Sequence, residues 1–401
     1  MGRTSIFMVI GVSAMFLLTG KNMSNVGIQA LDNSLDYYEN TQRYAIAVSA
    51  ANLVCSQVWA DGSWTAGYSS VDYNGGIFSA TVTNLSGGKK EIVSTATYGD
   101  ISQTVTIIMK PSSFSKFAYY GGTSASAAAW ETGDTIGGPS HTQGKLKTFG
   151  SPVFLGKATS NTGLTKSGSP ATPQFLGGFE SGVSVTMPSL TSYNTIMDAA
   201  TSDGRSQVGG SLYLKFNTDG TVSWKTSVSD PYTTVALSSF AHNGIIAIDK
   251  GTLYVEGTVD GRVTLASLRS SGTVGGTTII TNSIVMKDNP KTNPESNDML
   301  GIVSNGDITI ADNGATQFDV QGTLYSYKGG LAVQNGTSRP AGVLSIFGGM
   351  MVEKLYGTSN GASGSARKGY NLSLHFDERF SNDSPDNFPS TGKYEILSWF
   401  E

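Results

Sequence analysis

The spacing of apolar residues changes twice along the 401-residue chain, and each change predicts a different element. Residues 6–18 are almost entirely apolar and carry no charge. Beyond them, apolar residues recur at steps of three and four, without proline, as far as Trp59; they are Met23, Val26, Ala30, Tyr37, Tyr44, Val48, Ala51, Cys55 and Val58. This spacing places side chains on one face of a helix. The pattern predicts one long hydrophobic helix over residues 1–59, up to about 80 Å long if unbroken.

Beyond residue 60 the apolar spacing becomes alternating, which is the period of a β-strand. Gly76–Thr83, Lys90–Thr97 and Ile101–Met109 each alternate apolar and polar residues between turn-forming positions. Three such segments in succession predict an antiparallel meander that covers one face of a helix. We therefore expect residues 60–114 to form a small antiparallel sheet packed on the long helix.

A short glycine-bounded phrase recurs in the remainder of the chain. Gly144–Gly150, Gly251–Gly257 and Gly342–Gly348 share it, and a looser copy begins at Gly322, about 20 residues before the last one. Alternate residues of the phrase face opposite sides of a strand, and the glycines permit tight corners. Short strands with recurring corners predict a solenoid over residues 115–401, in which each coil packs on its neighbours. The chirality of parallel-strand connections favours a right-handed coil.

Composition narrows the class of protein. Charged residues make up 14% of the chain, against about 25% in ordinary globular proteins. Glycine supplies 50 of the 401 residues, so the polar surface has to come from Ser, Thr, Asn and Gly, as is typical of cell-surface β proteins. A net charge of −4 provides no basic patch, so we expect no nucleic-acid partner. Cys55 is the only cysteine and is expected to pack against the helix's neighbours rather than to form a disulfide.

The apolar run at the start of the chain admits three interpretations. As a helix, residues 6–18 reach roughly 20 Å, less than the roughly 30 Å hydrocarbon core of a membrane. The run is a cleaved secretory signal, a membrane anchor with Lys21 at the interface, or a retained helix that packs with other subunits. No Ala-x-Ala-like cleavage pattern follows it, and it leads directly into the amphipathic helix, which favours the third interpretation. The predicted anchor and assembly residues are Ile6, Phe7, Met8, Val9, Ile10, Val12, Met15, Phe16, Leu17 and Leu18.

A long N-terminal helix followed by a small antiparallel sheet resembles the order of elements in type IV pilins and their minor relatives. The resemblance implies that the helix lies in the inner membrane before assembly. It then packs with copies of itself, or with other pilin-like subunits, inside a filament. The chain departs from this pattern in two respects: no glutamate stands near the start of the apolar run, and the leader ahead of that run is only a few residues long. The predicted fold class is mainly β with a long N-terminal α-helix: a pilin-like helix and small sheet, then an irregular β-helix.

Several separated phrases point to one particular family. They are Gly138–Gly144, Gly150–Phe154, Asn297–Val303, Phe347–Gly349 and Phe388–Trp399. In this order they resemble the bacterial family known as domain of unknown function 4900, whose members join a pilin-like hydrophobic helix to a β-solenoid. The resemblance covers most of the chain and implies an envelope or surface protein. It brings no catalytic residues with it.

Residues with catalytic or metal-binding chemistry are sparse. The three histidines lack a His-x-x-x-His spacing, and the chain has neither a P-loop nor a nucleophile elbow. We therefore expect no enzymatic activity and no cofactor, and we expect His141 to hydrogen-bond at a solenoid corner. Oxygen ligands on loops suit calcium, for which the weak candidates are Asp288, Asp298, Asp307 and Asp312. Asp residues also fix turns by accepting backbone hydrogen bonds, which is the simpler interpretation.

Together these observations predict a non-enzymatic structural protein of the bacterial cell envelope or surface, a subunit of a type IV pilus-like filament with a candidate adhesive head. Two alternatives stay open. One is a membrane-anchored β-helix that binds or degrades surface polysaccharide, with sugar rings stacked on some of four tyrosines that fit equally well as packing partners: Tyr325, Tyr327, Tyr356 and Tyr370. The other is a bactofilin-like scaffold that polymerises through its solenoid ends.

Overall fold

The computed structural model describes residues 2–85, 88–185, 187, 191–360 and 368–400. The chain divides into two compact units. The first unit consists of Met1–Pro111 together with Gly392–Glu401, and the second unit, here called the head, is Ser112–Thr391. Each unit has its own buried core.

The first unit is one helix and a five-stranded sheet. Its elements are α1 (Arg3–Ala60), β1 (Tyr68–Tyr73), β2 (Gly76–Asn84), β3 (Lys90–Tyr98) and β4 (Ile101–Ser113), joined by the last strand of the chain, β29 (Ser390–Phe400). Strands β1 to β4 form an antiparallel meander, and β29 lies beside β4 at the edge. The predicted helix and meander are therefore present.

Small side chains bring α1 close to its sheet. Ala47, Ala50 and Ala51 are buried, and the Ser94 hydroxyl of β3 donates a hydrogen bond to the Ala47 carbonyl at 3.0 Å. The sheet presents alternate apolar residues to this surface because successive side chains of a strand face opposite sides. The core of the first unit is completed by Ile46, Val54, Cys55, Val58, Phe78, Ala80, Ile92, Ala96, Val105, Ile107 and Met109.

The end of the chain differs from the predicted boundaries. The head was expected to extend over residues 115–401, but Gly392–Glu401 belong to the first unit. Lys110 of β4 and Glu395 of β29 form an ion pair at 3.4 Å, and the Tyr394 hydroxyl donates to the Gly88 carbonyl. A strand this far along the chain has no local pattern that assigns it to one sheet rather than another, because the edge it joins is distant in sequence.

In the residues of the head that the structure describes, mostly short strands are accompanied by two α-helices and three 3₁₀ helices. The head's strands up to the first α-helix are β5 (Tyr119–Gly121), β6 (Trp130–Glu131), β7 (Thr135–Gly137), β8 (Ser140–Thr142), β9 (Leu146–Phe149), β10 (Val153–Phe154), β11 (Ala158–Ser160), β12 (Leu164–Ser167), β13 (Gln174–Phe175) and β14 (Phe179–Ser181). The α-helices are α2 (Thr191–Ser202) and α3 (Leu237–Phe240). The remaining strands are β15 (Arg205–Val208), β16 (Ser211–Phe216), β17 (Thr221–Lys225), β18 (Thr233–Ala236), β19 (Ile245–Asp249), β20 (Thr252–Val259), β21 (Arg262–Leu268), β22 (Thr277–Met286), β23 (Met299–Ser304), β24 (Ile308–Ile310), β25 (Gln317–Val333), β26 (Gly342–Leu355), β27 (Ser359–Asn360) and β28 (Lys368–Phe376).

Most of these strands stack in parallel rows. Row 1 runs in space through β15, β19, β21, β23, β25, β26, β5, β8, β11 and β14. Row 2 runs through β16, β20, β22, β25, β26, β28, β7, β10 and β13. A shorter third row joins β22, β24 and β25. Parallel pairing between successive turns of the chain is what stacked coils require, and the predicted fold class is confirmed; its handedness stays a prediction.

The order of strands in space is not their order in sequence. From β5 the chain proceeds to β14 at one end of row 1, and it then resumes at the other end with β15. The two runs meet where β26 pairs with β5 and β28 pairs with β7. The first and last strands of the head therefore lie in the middle of its stack, and both ends are made by the middle of the sequence.

The three full copies of the recurring glycine phrase share a buried leucine within a strand. Leu146, Leu253 and Leu344 are buried at equivalent positions. The closing glycines Gly150 and Gly257 have φ angles of +74° and +109°. These angles lie in a region that glycine adopts easily and other residues rarely do. The phrase therefore marks a strand with a buried leucine and a following glycine corner, at which β9 ends and through which β20 and β26 continue.

The middle of row 1, from β19 to β8, is buried on both faces. Its inward face belongs to the main core of the head, and its outer face carries Ala247, Ala266, Val303, Tyr325 and Met351. This outer face is covered by side chains from outside the row, which are Phe114, Val185, Ile196, Ala200 and Phe388. Double burial explains why β19 and β23 begin with the unbroken runs Ile245–Ile248 and Met299–Val303, without polar residues, instead of alternating.

Candidate assembly helix

The predicted anchor and assembly residues lie along the first turns of α1 and are exposed. Their exposed fractions range from 46% for Val12 to 75% for Leu17. Among the described residues, one helix has the length and apolar composition to cross a membrane, and its most apolar window is not buried at all. Exposed side chains of this kind are unfavourable in water because each apolar group contributes only when it is removed from solvent. The segment therefore requires lipid or protein around it.

Polar residues follow one face of the middle part of α1. They recur at steps of three and four and comprise Lys21, Asn25, Gln29, Asp32, Asp36, Glu39 and Arg43. The same face continues, at the same spacing, through Ala47, Ala50, Val54 and Val58, which are buried against the sheet. One face of the helix thus changes from polar to apolar near residue 43.

The opposite face of α1 changes from apolar to polar along the helix. In the middle of α1 it carries Met23, Leu31 and Tyr38, with exposed fractions of 73%, 60% and 53%. Farther along, the same face carries Ser49, Asn52 and Ser56, which are polar. The spacing places this middle apolar face on the side of the helix axis opposite to the face that the sheet covers. In the part of the chain that the structure describes, Met23 and Leu31 on this face are thus left exposed by the first unit, whereas Tyr38 at its end contacts Tyr98 of β3, with ring centroids 6.4 Å apart.

Arg43 marks the point of reversal. Its side chain is only 3% exposed, and one guanidinium nitrogen donates to the Tyr98 carbonyl at 3.2 Å and to Glu39 at 3.4 Å. The other terminal nitrogen donates to the Asn40 side chain. These contacts tie the helix to the turn between β3 and β4. The sequence predicted a single apolar stripe, although the spacing of its polar residues already contained the reversal.

The four calcium candidates serve as hydrogen-bond acceptors for the backbone or for side chains. Asp298 accepts from the amides of Gly261 and Asp288 through its two oxygens, at 2.7 and 2.8 Å. Asp307 accepts from the Gly330 amide at 2.9 Å. The structure thus brings Asp288 and Asp298 together, whereas Asp307 holds a different corner.

Asp312, the fourth candidate, accepts from the Asn335 side chain at 3.1 Å and lies 3.9 Å from Arg339. The hydrogen bond from Asn335 is the main cause that lowers the pKa of the Asp312 carboxyl. Within the described ranges, no group of three or more His, Cys, Asp or Glu side chains is arranged to hold a metal ion. Calcium binding at these positions stays a prediction.

His141 and two of the four candidate tyrosines are buried inside the head. His141 is buried, with Nδ1 2.9 Å from the Thr159 hydroxyl and Nε2 3.0 Å from the Gln143 amide oxygen. Burial lowers the pKa of its imidazole because it disfavours the charged form. Tyr325 and Tyr370 are fully buried and therefore pack inside the head. Neither tyrosine is placed to stack on a sugar.

Comparisons with known proteins give little further information. No family model matches the chain, and no curated protein matches it. Among solved structures, the chain is similar to the competence-associated pilin ComZ from Thermus thermophilus, with a TM-score of 0.37 and 14% sequence identity. The match covers 90% of this chain and 96% of that protein. A TM-score at this level supports no conclusion about function, which has to be argued from the chain's own residues.

Proposed function

We propose that this chain is a non-enzymatic, pilin-like subunit of a filament on the bacterial cell surface, and that it displays a β-solenoid head. The observation that supports this proposal is the reversal of faces along α1. A helix that served only its own unit would have a polar face turned away from the sheet throughout. The exposed face around Leu31 is apolar instead, and it continues from an exposed apolar run.

The two exposed segments of the helix have different roles in assembly. Residues 6–18 lie in the inner membrane before assembly, where lipid is as apolar as a neighbouring helix. When residues 6–18 move from lipid into a helical bundle, the free energy gained therefore comes mainly from close packing of side chains and not from the hydrophobic effect. The middle apolar face is exposed to water beforehand, and burial of a large apolar side chain there contributes about 1.5–3 kcal/mol. The middle face consequently supplies the hydrophobic part of the driving force.

The proposed partners are copies of this chain or other pilin-like subunits, and the proposed location is the cell envelope or an extracellular filament. Membership of the domain of unknown function 4900 family, which the separated phrases suggest, agrees with this role and is part of the proposal. In such a filament the head acts as a stiff projection, because parallel rows tie each coil to the next. An adhesive role for the head is a natural extension of that geometry.

Substitution on the two faces of α1 tests the proposal. Leu31→Lys places a charge on the middle apolar face, and Gln29→Lys places the same charge on the polar face as a matched control. Material sheared from producing cells is separated from membranes and probed with an antibody to the head. We expect Leu31→Lys to remain in the membrane fraction and to be lost from sheared filaments, while Gln29→Lys is incorporated as the native chain is.

Three outcomes would contradict the proposal. Equal incorporation of both variants would show that the middle face is not an assembly surface. Recovery of the native chain only with membranes would favour the anchored polysaccharide-binding alternative. Filaments formed by a variant without residues 6–18 would favour a scaffold that polymerises through its head.

A further inference from the structure

A cleft of about 470 Å³ opens on the outer surface of the head, beside row 2. Its floor is formed by β26 and β28, which contribute Ser345, Phe347 and His375. One wall is the loop after β22, with Pro290 and Lys291. Its volume lies in the range of roughly 300–1,000 Å³ that is usual for sites that hold small organic ligands. The sequence provided no local signal for it, because its residues come from three separate segments.

The loop wall is held in place by buried polar contacts. The Arg379 guanidinium donates to the carbonyl of Ser296 at 2.6 Å and to that of Asp298 at 2.9 Å. The same guanidinium binds both carboxylate oxygens of Asp377, whose side chain is 2% exposed. Asp298 in turn accepts from the Asp288 amide at the other end of the loop. The cleft is therefore preformed, and a ligand does not have to order it.

The floor has a regular pattern of groups. In the parallel register Ser345 lies beside Ser373, and Phe347 lies beside His375. The Ser373 hydroxyl and His375 Nε2 are 3.0 Å apart. Neighbouring strands of a sheet are about 4.8 Å apart. The two serines therefore lie side by side at about that spacing, and so do the ring-bearing residues Phe347 and His375. Flat apolar surfaces that alternate with hydrogen-bonding groups suit a pyranose, which has apolar faces and a rim of hydroxyls.

Of the two cationic side chains in the cleft, Arg379 and Lys291, only Arg379 forms an ion pair among the described residues. Arg379 is neutralised by Asp377, but no described carboxylate lies within 4 Å of the Lys291 ammonium. Lys291 Nζ is 5.6 Å from the Phe347 ring centroid and 3.5 Å from the Ser345 hydroxyl. Burial and the nearby ammonium lower the pKa of His375, which leaves this imidazole neutral at neutral pH. The Lys291 ammonium on the loop wall is therefore the cation available for a ligand anion, and the Glu378 carboxylate also lines the cleft.

We propose that this cleft binds an acidic saccharide, a uronate-containing chain whose carboxylate pairs with Lys291 and whose ring packs on Phe347. The hydroxyls of Ser345 and Ser373 and the neutral His375 then bind the rim of the sugar. Glu378 also lines the cleft, and in the proposed complex its carboxylate accepts from sugar hydroxyls. This inference concerns the head and does not depend on whether α1 assembles into a filament.

Binding of defined oligosaccharides to the full chain in detergent micelles tests the inference. The probes are tetragalacturonate, a glucuronate-containing tetrasaccharide and an alginate tetrasaccharide, each compared with its methyl ester by isothermal titration calorimetry. We expect at least one acidic probe to bind. Its Kd should increase about tenfold when the carboxylates are methylated, and by a similar factor in the Lys291→Gln variant. Lys354→Gln, an exposed lysine on the same strand β26, is the matched control and should leave the Kd unchanged.

Phe347→Thr is a second variant, for which we expect a comparable loss of affinity with unchanged circular dichroism. Equal binding of acid and methyl ester would overturn the assignment of the ligand as acidic. Absence of binding to all probes at millimolar concentration would overturn the saccharide site itself, as would binding that neither Lys291→Gln nor Phe347→Thr weakens. Should Phe347→Thr fail to fold, Lys291→Gln alone decides the question.

Discussion

At the scale of single residues, glycine positions decide where this chain turns. Gly322 and Gly348 are register partners on β25 and β26, and both have a φ of +146°. A Cβ added at Gly348 would lie 2.1 Å from the Gly322 carbonyl oxygen. The backbones of adjacent coils approach so closely here that no side chain fits between them. The corner thus depends on glycine for two reasons, the backbone angle and the space.

Gly348→Ala is therefore expected to destabilise the head by roughly 2–4 kcal/mol. Gly357→Ala is the matched control, because the nearest atom to its added Cβ is 3.6 Å away and its φ is not in the positive region. Urea unfolding followed by tryptophan fluorescence measures both variants against the native chain. A Gly348→Ala midpoint equal to that of Gly357→Ala would show that the corner can relax.

At the scale of elements, the carboxyl-terminal part of α1 is defined by how closely it approaches β3. Ala47 is fully buried, and its carbonyl accepts from Ser94 across the interface. A larger side chain at this position has to push the helix from the sheet and break that hydrogen bond. The sequence pattern identified the buried face, but the small size of its residues is explained only by the distance between the two elements.

Ala47→Leu is expected to destabilise the first unit by about 1–3 kcal/mol, the usual cost of overpacking a closely packed core. Asn52→Leu, which adds leucine to the exposed side of the same helix, should change the stability by less than about 0.5 kcal/mol. Chemical unfolding of the detergent-solubilised protein compares the two. Equal midpoints would mean that the interface between α1 and β3 has room for the larger residue.

At the scale of the whole molecule, the head is inserted between two strands of one sheet. The chain leaves the first unit after β4 and returns to it as β29, which pairs beside β4. The sheet of the first unit is thus completed only after the head has been synthesised. The stack inside the head agrees with this arrangement, since its first and last strands lie together in the middle.

Deletion of Gly392–Glu401 is expected to weaken the first unit and to leave the head intact. Without β29 the edge of β4 loses its partner, together with the Lys110–Glu395 ion pair. Limited proteolysis should cut within residues 61–111 earlier than in the native chain, while a head fragment persists at the native rate. Ile396→Thr, a substitution at an exposed position of β29, serves as the control. Loss of both units together would show that the two fold as one cooperative body.

Local spacing along the chain accounts for several features of the fold. The exposed run at residues 6–18, the long helix, the meander and the glycine corners were all predicted, because each follows from residues near one another in the chain. The reversal of faces near Arg43 was not predicted, although it also follows from local spacing, because helical periodicity alone reveals it.

The pairing of strands could not be predicted from the sequence and is known from the tertiary structure alone. The pairing of β26 with β5, the return of β29 to the first sheet and the cleft between Lys291, Phe347 and His375 join residues far apart in sequence. A strand's own pattern specifies which of its faces is buried but not its neighbour, because many strands present similar apolar rows. The choice among neighbours is a property of the packed whole, in which all the buried faces have to be covered together.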